Sequence, residues 1–192
     1  MLDRHNRAFK EWAVVCEALK CGRQIVLIRK GGIREEEGVF QVNDPEFFLL
    51  PTYEHQNAKL VQPQYVGELQ ESIASGFDPK KVTIDAYATV DTVVVATDEE
   101  RVKSLANEHI WNDEYVRMRF DFNPYDPLYI LVLRAYRLPE AVTLPLLPEY
   151  VGCKSWVTLE QPLSTTGAVP AVPEEEFIRR REAVLEKLTN DD

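Results

Sequence analysis

Residues 82–98 read VTIDAYATVDTVVVATD, a β-branched run without glycine or proline that is about three times the length of an ordinary strand. A strand of that reach does not stay flat, because sheets twist and long strands relieve the twist by bulging. The segment predicts a bent or bulged strand passing around a barrel or along a sheet edge.

The remaining elements follow from periodicity and punctuation. In NRAFKEWAVVCEALKC, residues 6–21, Phe9, Trp12, Ala13, Cys16, Ala18 and Leu19 fall near helical spacing, and Gly22 follows as a stop. This predicts an amphipathic first helix. RQIVLIRKGGIREEEGVFQV reads as a hairpin or two neighbouring strands about Gly31-Gly32, and EFFLL as a third short strand. QYVGELQESIASG places Tyr65, Leu69 and Ile73 on one face of a second helix. Thr97 or Asp98 caps a helix in TDEERVKSLANEHIW, and Asn112 to Tyr115 opens a further turn. LYILVLRAYRL has high strand propensity, and TLPLLPEYVGCKSWVTLEQPL supplies one or two shorter strands.

STTGAVPAVP has linker composition, and EEEFIRRREAVLEKL is a terminal helix with Phe177, Arg181, Val184 and Leu188 in loose register and a mostly solvated face. Strands interleaved with helices predict one α+β domain over residues 1–163, followed by a linker and C-terminal helix over 164–192. At 192 residues and 45% hydrophobic the chain can bury a continuous core without staples. Cys16, Cys21 and Cys153 are an odd number with no C-x-x-C pair, as in a reduced, cytoplasmic protein. The start, MLDRHNRAFKEW, is too charged for a signal sequence, and no run of 18 apolar residues predicts a membrane span. A net charge of -10 argues against a broad nucleic-acid coat but leaves room for a local basic cleft.

Four stretches carry chemistry. Around Gly31-Gly32, Arg29, Lys30 and Arg34 offer a guanidinium fork, an ammonium and backbone N–H groups to a phosphate; a charged hairpin tip, with Glu35, Glu36 and Glu37 beside it, is the other reading. In PTYEHQ, Tyr53 and His55 share a strand face, and with Gln56 they can read a base edge or move a proton; alternatively Thr52 and Glu54 cap the next helix. His109 and Trp111 in EHIW form a donor beside a stacking platform, or a helix-end histidine and a core indole. Lys154, Ser155 and Trp156 in GCKSWVTL join phosphate-binding types to an aromatic, and Cys153 or the serine is a nucleophile only if a histidine base such as His55 or His109 comes near. For metal-assisted hydrolysis the only D-x-K is Asp78-Pro79-Lys80, interrupted by proline, and a looser set of Glu35, Glu54 and Asp85 has no supporting spacing. No cofactor or metal is expected.

WAVVCEALKCGRQIVLIRKGGIREE, FLLPTYEHQ, EHIW, LVLRAYRLPE and GCKSWVTLEQPL, in that order over residues 12–163, resemble the bacterial family designated domain of unknown function eighteen-oh-two. More distantly the layout resembles PUA-like barrels of the ASCH and EVE branches. Gly22 and Arg29 match the ASCH pattern G-x-K-x-x-E-x-R, while Gln24 and Leu27 replace its Lys and Glu. The resemblance implies a curved or partly closed mixed sheet with flanking helices and an association with RNA or modified bases. Together these readings predict a cleft lined by Arg29, Lys30, Tyr53, His55, Trp111, Lys154 and Trp156 that binds a nucleotide or a flipped base in RNA or DNA. In that reading Trp111 or Trp156 stacks, Arg29 and Lys154 hold phosphate, and His55 and Gln56 read the edge. A metal-dependent nuclease or other hydrolase, with His55 as general base and Glu54 or Glu35 orienting a metal or water, and a module that docks a protein through the C-terminal helix, are the alternatives.

Overall fold

Strand formation begins inside the stretch whose spacing suggests a helix: Arg4–Trp12 is a strand, β1, and the helix α1 is confined to Ala13–Lys20. β1 has neighbours on both sides, and the adjacent residues Ala8 and Phe9 are both buried, on opposite faces. Burial on both faces erases the alternation that marks a half-exposed strand, leaving apolar spacing that imitates a helix. The structure, a computed structural model, describes residues 2–30, 44–152 and 154–189, with 33–36 and 39–42 described as backbone.

α1 ends as expected at Gly22, whose φ of 73° is left-handed, with its N–H donating to the Leu19 carbonyl at 3.0 Å and the Arg23 N–H to Ala18 at 2.9 Å. A Cβ here would lie 2.8 Å from the Ala171 carbonyl oxygen and 2.9 Å from a Val172 methyl. Gly22→Ala is therefore expected to cost roughly 2 kcal/mol, from left-handed strain plus the displaced 171–172 segment, as measured by urea unfolding.

The chain continues through β2 (Val26–Lys30), β3 (Ile33–Glu36), β4 (Val39–Val42), β5 (Glu46–Thr52), α2 (Val66–Gly76) and β6 (Lys81–Ala96). It closes with α3 (Glu99–Lys103), α4 (Asp113–Asp121), β7 (Leu128–Pro145), β8 (Trp156–Ser164), β9 (Val169–Pro170) and α5 (Glu174–Thr189). β2 does not form the hairpin anticipated with the run after it: it pairs with β7, while β3 and β4 pair with each other in a separate two-stranded sheet. The long strand β6 pairs antiparallel with β7 along nearly its whole length, and its register shifts between Ile84 and Ala86 and between Val90 and Thr92 are the bends its length demands.

The main sheet has the order β2-β7-β6-β5-β1-β8, with β9 added to β7. It is mixed, since β1 and β5 run parallel and the other pairs antiparallel. Adjacent residues Phe47 and Phe48 enter different core clusters, one with Ile28, Trp111 and Phe177, the other with Tyr87, Leu138 and Leu159. Both faces are thus covered. The two edges of this α+β sheet curl towards each other: Arg29 of β2 donates to Ser155 Oγ, at the entry to β8, across 2.6 Å. The sheet is partly closed, with side chains bridging its seam.

The stretch with linker composition is built into the fold. β9 lies opposite Tyr136 and Arg137, the Ala171 N–H donates to the Ala135 carbonyl at 2.9 Å, and Thr165 is buried. α5 is also less solvated than its charge suggests. Phe177, Arg180 and Val184 are buried, and the Arg134 guanidinium lies 4.4 Å over the Phe177 ring. Arg180 Nε donates to Glu108 at 2.8 Å, Nη1 to the Gly22 carbonyl at 2.5 Å and Nη2 to the Arg23 carbonyl at 3.1 Å. No helix among the described residues is long and apolar enough to cross a membrane.

Candidate functional site

The seam gathers a set of buried polar groups. Glu11, near the end of β1, is 9% exposed; its Oε1 accepts the Trp12 N–H at 2.8 Å and its Oε2 lies 3.7 Å from Arg29 Nη1. Burial pushes the Glu11 carboxyl above its ordinary range, while Arg29, the Trp12 amide and Arg119 pull it back. Burial likewise lowers the Arg29 guanidinium, opposed by Glu11. The Arg29 fork bonds Ser155 and lies 4.6 Å over the Phe9 ring. A loose, nearly dry ion pair contributes little to stability but orients charge.

α4 supplies the other wall. Asn112 caps it by accepting the Tyr115 N–H at 3.1 Å, and the Asn112 Nδ2 donates to the Lys59 carbonyl at 2.7 Å. Gln62 fixes the approach by donating to the carbonyls of Ala106, His109 and Trp111. So placed, α4 turns Tyr115 and, one turn later, Arg119 towards the pair. Burial first and Glu11 second push the Tyr115 phenol up to about 12, so it stays a neutral donor. The Arg119 guanidinium lies 5.9 Å from the Tyr115 centroid, and its Nε is enclosed without a partner among the described residues. The result is an alternation of donors and acceptors, lined by the aromatic residues Phe9, Tyr115 and Trp156.

A family model described as Domain of unknown function (DUF1802) matches residues 8–183. The chain belongs to the DUF1802 family. It is also similar to the crystal structure of ASCH from Zymomonas mobilis, at 11% identity and a TM-score of 0.45, covering 92% of this chain and 93% of that one. A Y47F mutant of the same Zymomonas mobilis protein matches at 12% identity and a TM-score of 0.44, over 81% of this chain and 90% of that one. Among curated proteins none matches.

Within this DUF1802 chain the residues anticipated for one cleft are only partly brought together. Arg29 is central to the seam. Trp156 reaches it through Phe9, ring centroids 4.9 Å apart and edge-on. Trp111 borders it but is no open platform: it is 2% exposed, stacked on Tyr115 at 3.9 Å and packed edge-on against Trp12 at 4.9 Å. Its faces are used by its own core. His109, 2% exposed, is enclosed as well, and burial lowers it to about 4, so it is a neutral core imidazole and not a donor beside a platform. Lys30, adjacent to Arg29 and therefore on the opposite side of β2, donates to the Phe120 carbonyl at 3.4 Å and lines a separate cavity.

The PTYEHQ residues lie elsewhere. Tyr53 packs edge-on against Phe77 beside Gly76, at the wall of a cavity of about 450 Å³ that also holds Lys20, paired to Glu17 and Asp85. Glu54 and His55 are exposed in a turn where His55 takes a φ of 61°, so Tyr53 and His55 do not share a strand face. Gln56 accepts the Val14 N–H at 3.3 Å, near the start of α1, and its Nε2 is enclosed without a partner among the described residues. Lys154 is exposed, its N–H closing a turn on the Gly152 carbonyl at 2.9 Å. Arg34, Glu35, Glu36, Glu37 and Cys153 lie outside the residues whose side chains are described. Among the described residues no group of three His, Cys, Asp or Glu side chains is placed to hold a metal ion.

Sequence reasoning passed over Glu11, Tyr115 and Arg119, and took Ser155 as a phosphate-binding type beside Lys154 rather than as the partner of Arg29. For Glu11 a signal exists: read as a strand, Phe9 and Glu11 share a face, so a carboxylate stands next along that face to a core aromatic. Tyr115 and Arg119 stand four apart on a capped helix, a spacing that puts them on one face.

Proposed function

We propose that the seam binds a nucleobase, with Arg119 and Arg29 donating to base oxygens or ring nitrogens, and Glu11 accepting from an exocyclic or ring N–H. The carrying observation is the Glu11–Arg29–Ser155 chain beside Arg119, whose enclosed Nε has no partner among the described residues. Buried polar groups are ordinarily satisfied, so a donor left open next to a half-engaged ion pair suits a ligand carrying both acceptors and donors. Base edges have that character, and guanidinium and carboxylate groups are their usual readers. The surplus negative charge of the chain restricts phosphate-driven binding elsewhere on the surface. The reading keeps Arg29 and Trp156 of the anticipated cleft and transfers edge recognition from His55 and Gln56 to Glu11 and Arg119.

Calorimetric titration with the four ribonucleoside monophosphates tests it. At least one is expected to bind, and Arg119→Ala to weaken that binding roughly ten- to hundredfold, the worth of a charged hydrogen bond. Arg119 is the variant of choice because its loss leaves the Glu11–Arg29 pair intact. Absence of binding by all four, or equal affinity in the folded variant, overturns the reading.

A further inference from the structure

α4 has a second face. Beyond Tyr115 it exposes Met118 (46%) and leads into Phe122 (63%) and Tyr125 (95%), two aromatic rings in water. Leaving an aromatic so open forgoes the burial that usually stabilises it. Nor are these rings on loose chain. The turn is pinned by the Asp126 N–H donating to the Asn123 carbonyl at 3.0 Å and by the Asn123 side chain donating to Asp126, with Pro124 and Pro127 inside and after it.

This ridge is continuous with the seam through one side chain: the Arg119 guanidinium lies 5.9 Å from the Tyr115 ring on the seam side and 5.9 Å from the Phe122 ring on the outer side. β2 repeats the connection, since Arg29 turns into the seam while Lys30 lines a cavity of about 320 Å³ with Tyr125, Pro124 and Phe120. In a chain with net charge -10, residues 117–127 carry two arginines against two aspartates, so the ridge is not acidic. Cations alternating with open aromatic faces are how proteins hold single-stranded nucleic acid without reading its sequence.

We propose that the ridge is the track for nucleotides flanking the base held in the seam: neighbouring bases stack on Phe122 and Tyr125, and Lys30 meets the phosphate between them. The inference rests on the base-binding reading of the seam and extends it from a mononucleotide to a single strand.

The test compares binding of a ribonucleoside monophosphate with that of single-stranded RNA homopolymers of three and five nucleotides, in wild type and in a Phe122→Ala/Tyr125→Ala variant. Affinity is expected to rise with length, roughly tenfold for each stacked base. In the double variant the gain disappears while the monophosphate binds as before. Both side chains are exposed, so the variant folds, which circular dichroism checks. Monophosphate binding without a length gain, or a gain that survives in the variant, overturns the ridge and leaves the seam standing. Oligomer binding that needs the ridge, with no monophosphate binding and no effect of Arg119→Ala, supports the ridge and overturns the seam.

Discussion

Arg180→Ala is expected to lower stability by about 3–5 kcal/mol, the largest single-site effect in this molecule. The Arg180 side chain is buried, and its three nitrogens meet the Glu108 carboxylate and the carbonyls of Gly22 and Arg23. Alanine would leave Glu108, itself largely enclosed, without its counter-charge and leave the Gly22 and Arg23 carbonyls, just past the end of α1, without this donor. Arg180→Lys, which keeps the charge but not the fork, is expected to fall between the two. Guanidinium unfolding monitored by tryptophan fluorescence measures the loss against a total of about 5–15 kcal/mol typical of such domains. A change below about 1 kcal/mol would mean that α5 is held by its apolar face, Phe177 and Val184, and its outer ion pairs with Arg134 and Asp91 rather than by Arg180.

The second large effect is one of pH. Burial lowers the His109 imidazole to about 4; the backbone at Val102 and Trp111 draws near the ring and favours the cation, but weighs less. The unfolded chain takes up this proton near pH 6.5 and the folded chain only near pH 4. Stability contributed by the neutral ring is therefore whole above pH 6.5, lost as pH falls through the window between these values, and reduced by about 3 kcal/mol at its lower end. Glu11 acts in the opposite sense, because its raised carboxyl binds a proton more tightly in the folded chain than in the unfolded one. The comparison that isolates His109 is with His109→Leu, which removes the titrating group from a site where neither ring nitrogen has a well-formed hydrogen bond among the described residues. The difference between the two stability–pH profiles should reach about 3 kcal/mol by pH 4; parallel profiles would show that the ring is protonated without penalty.

The elements that were legible in the sequence are those whose signal is local. The bends of β6 follow from its length, α2 from apolar spacing, α4 from its Asn112 cap, and the stop at Gly22 from the left-handed turn that glycine permits. β1 was hidden because both its faces are buried, and Glu11 was hidden with it, since a carboxylate on a presumed helix has no distinguishing face. Arg29 was legible as a cation at the end of an apolar run. Ser155 was not, because its role comes from an edge-to-edge approach of strands with more than a hundred residues between them. His55 attracted attention by chemical type, and its positive φ places it in a turn whose demands are conformational. Trp111 was read as a surface because sequence does not reveal that Trp12 and Tyr115 cover it.

The parallel partner of β1 follows soon after it, but the antiparallel partner begins only at Trp156. At the usual pace of about 5–20 residues per second, synthesis reaches β8 on the order of ten seconds after β1. Throughout that interval one side of β1 has backbone donors and acceptors with no strand to meet them, and Ala8 and Phe9 lack part of their cover. Completion of this sheet is thus timed by translation, and a nascent chain halted before Trp156 presents a ready strand edge to any other chain nearby.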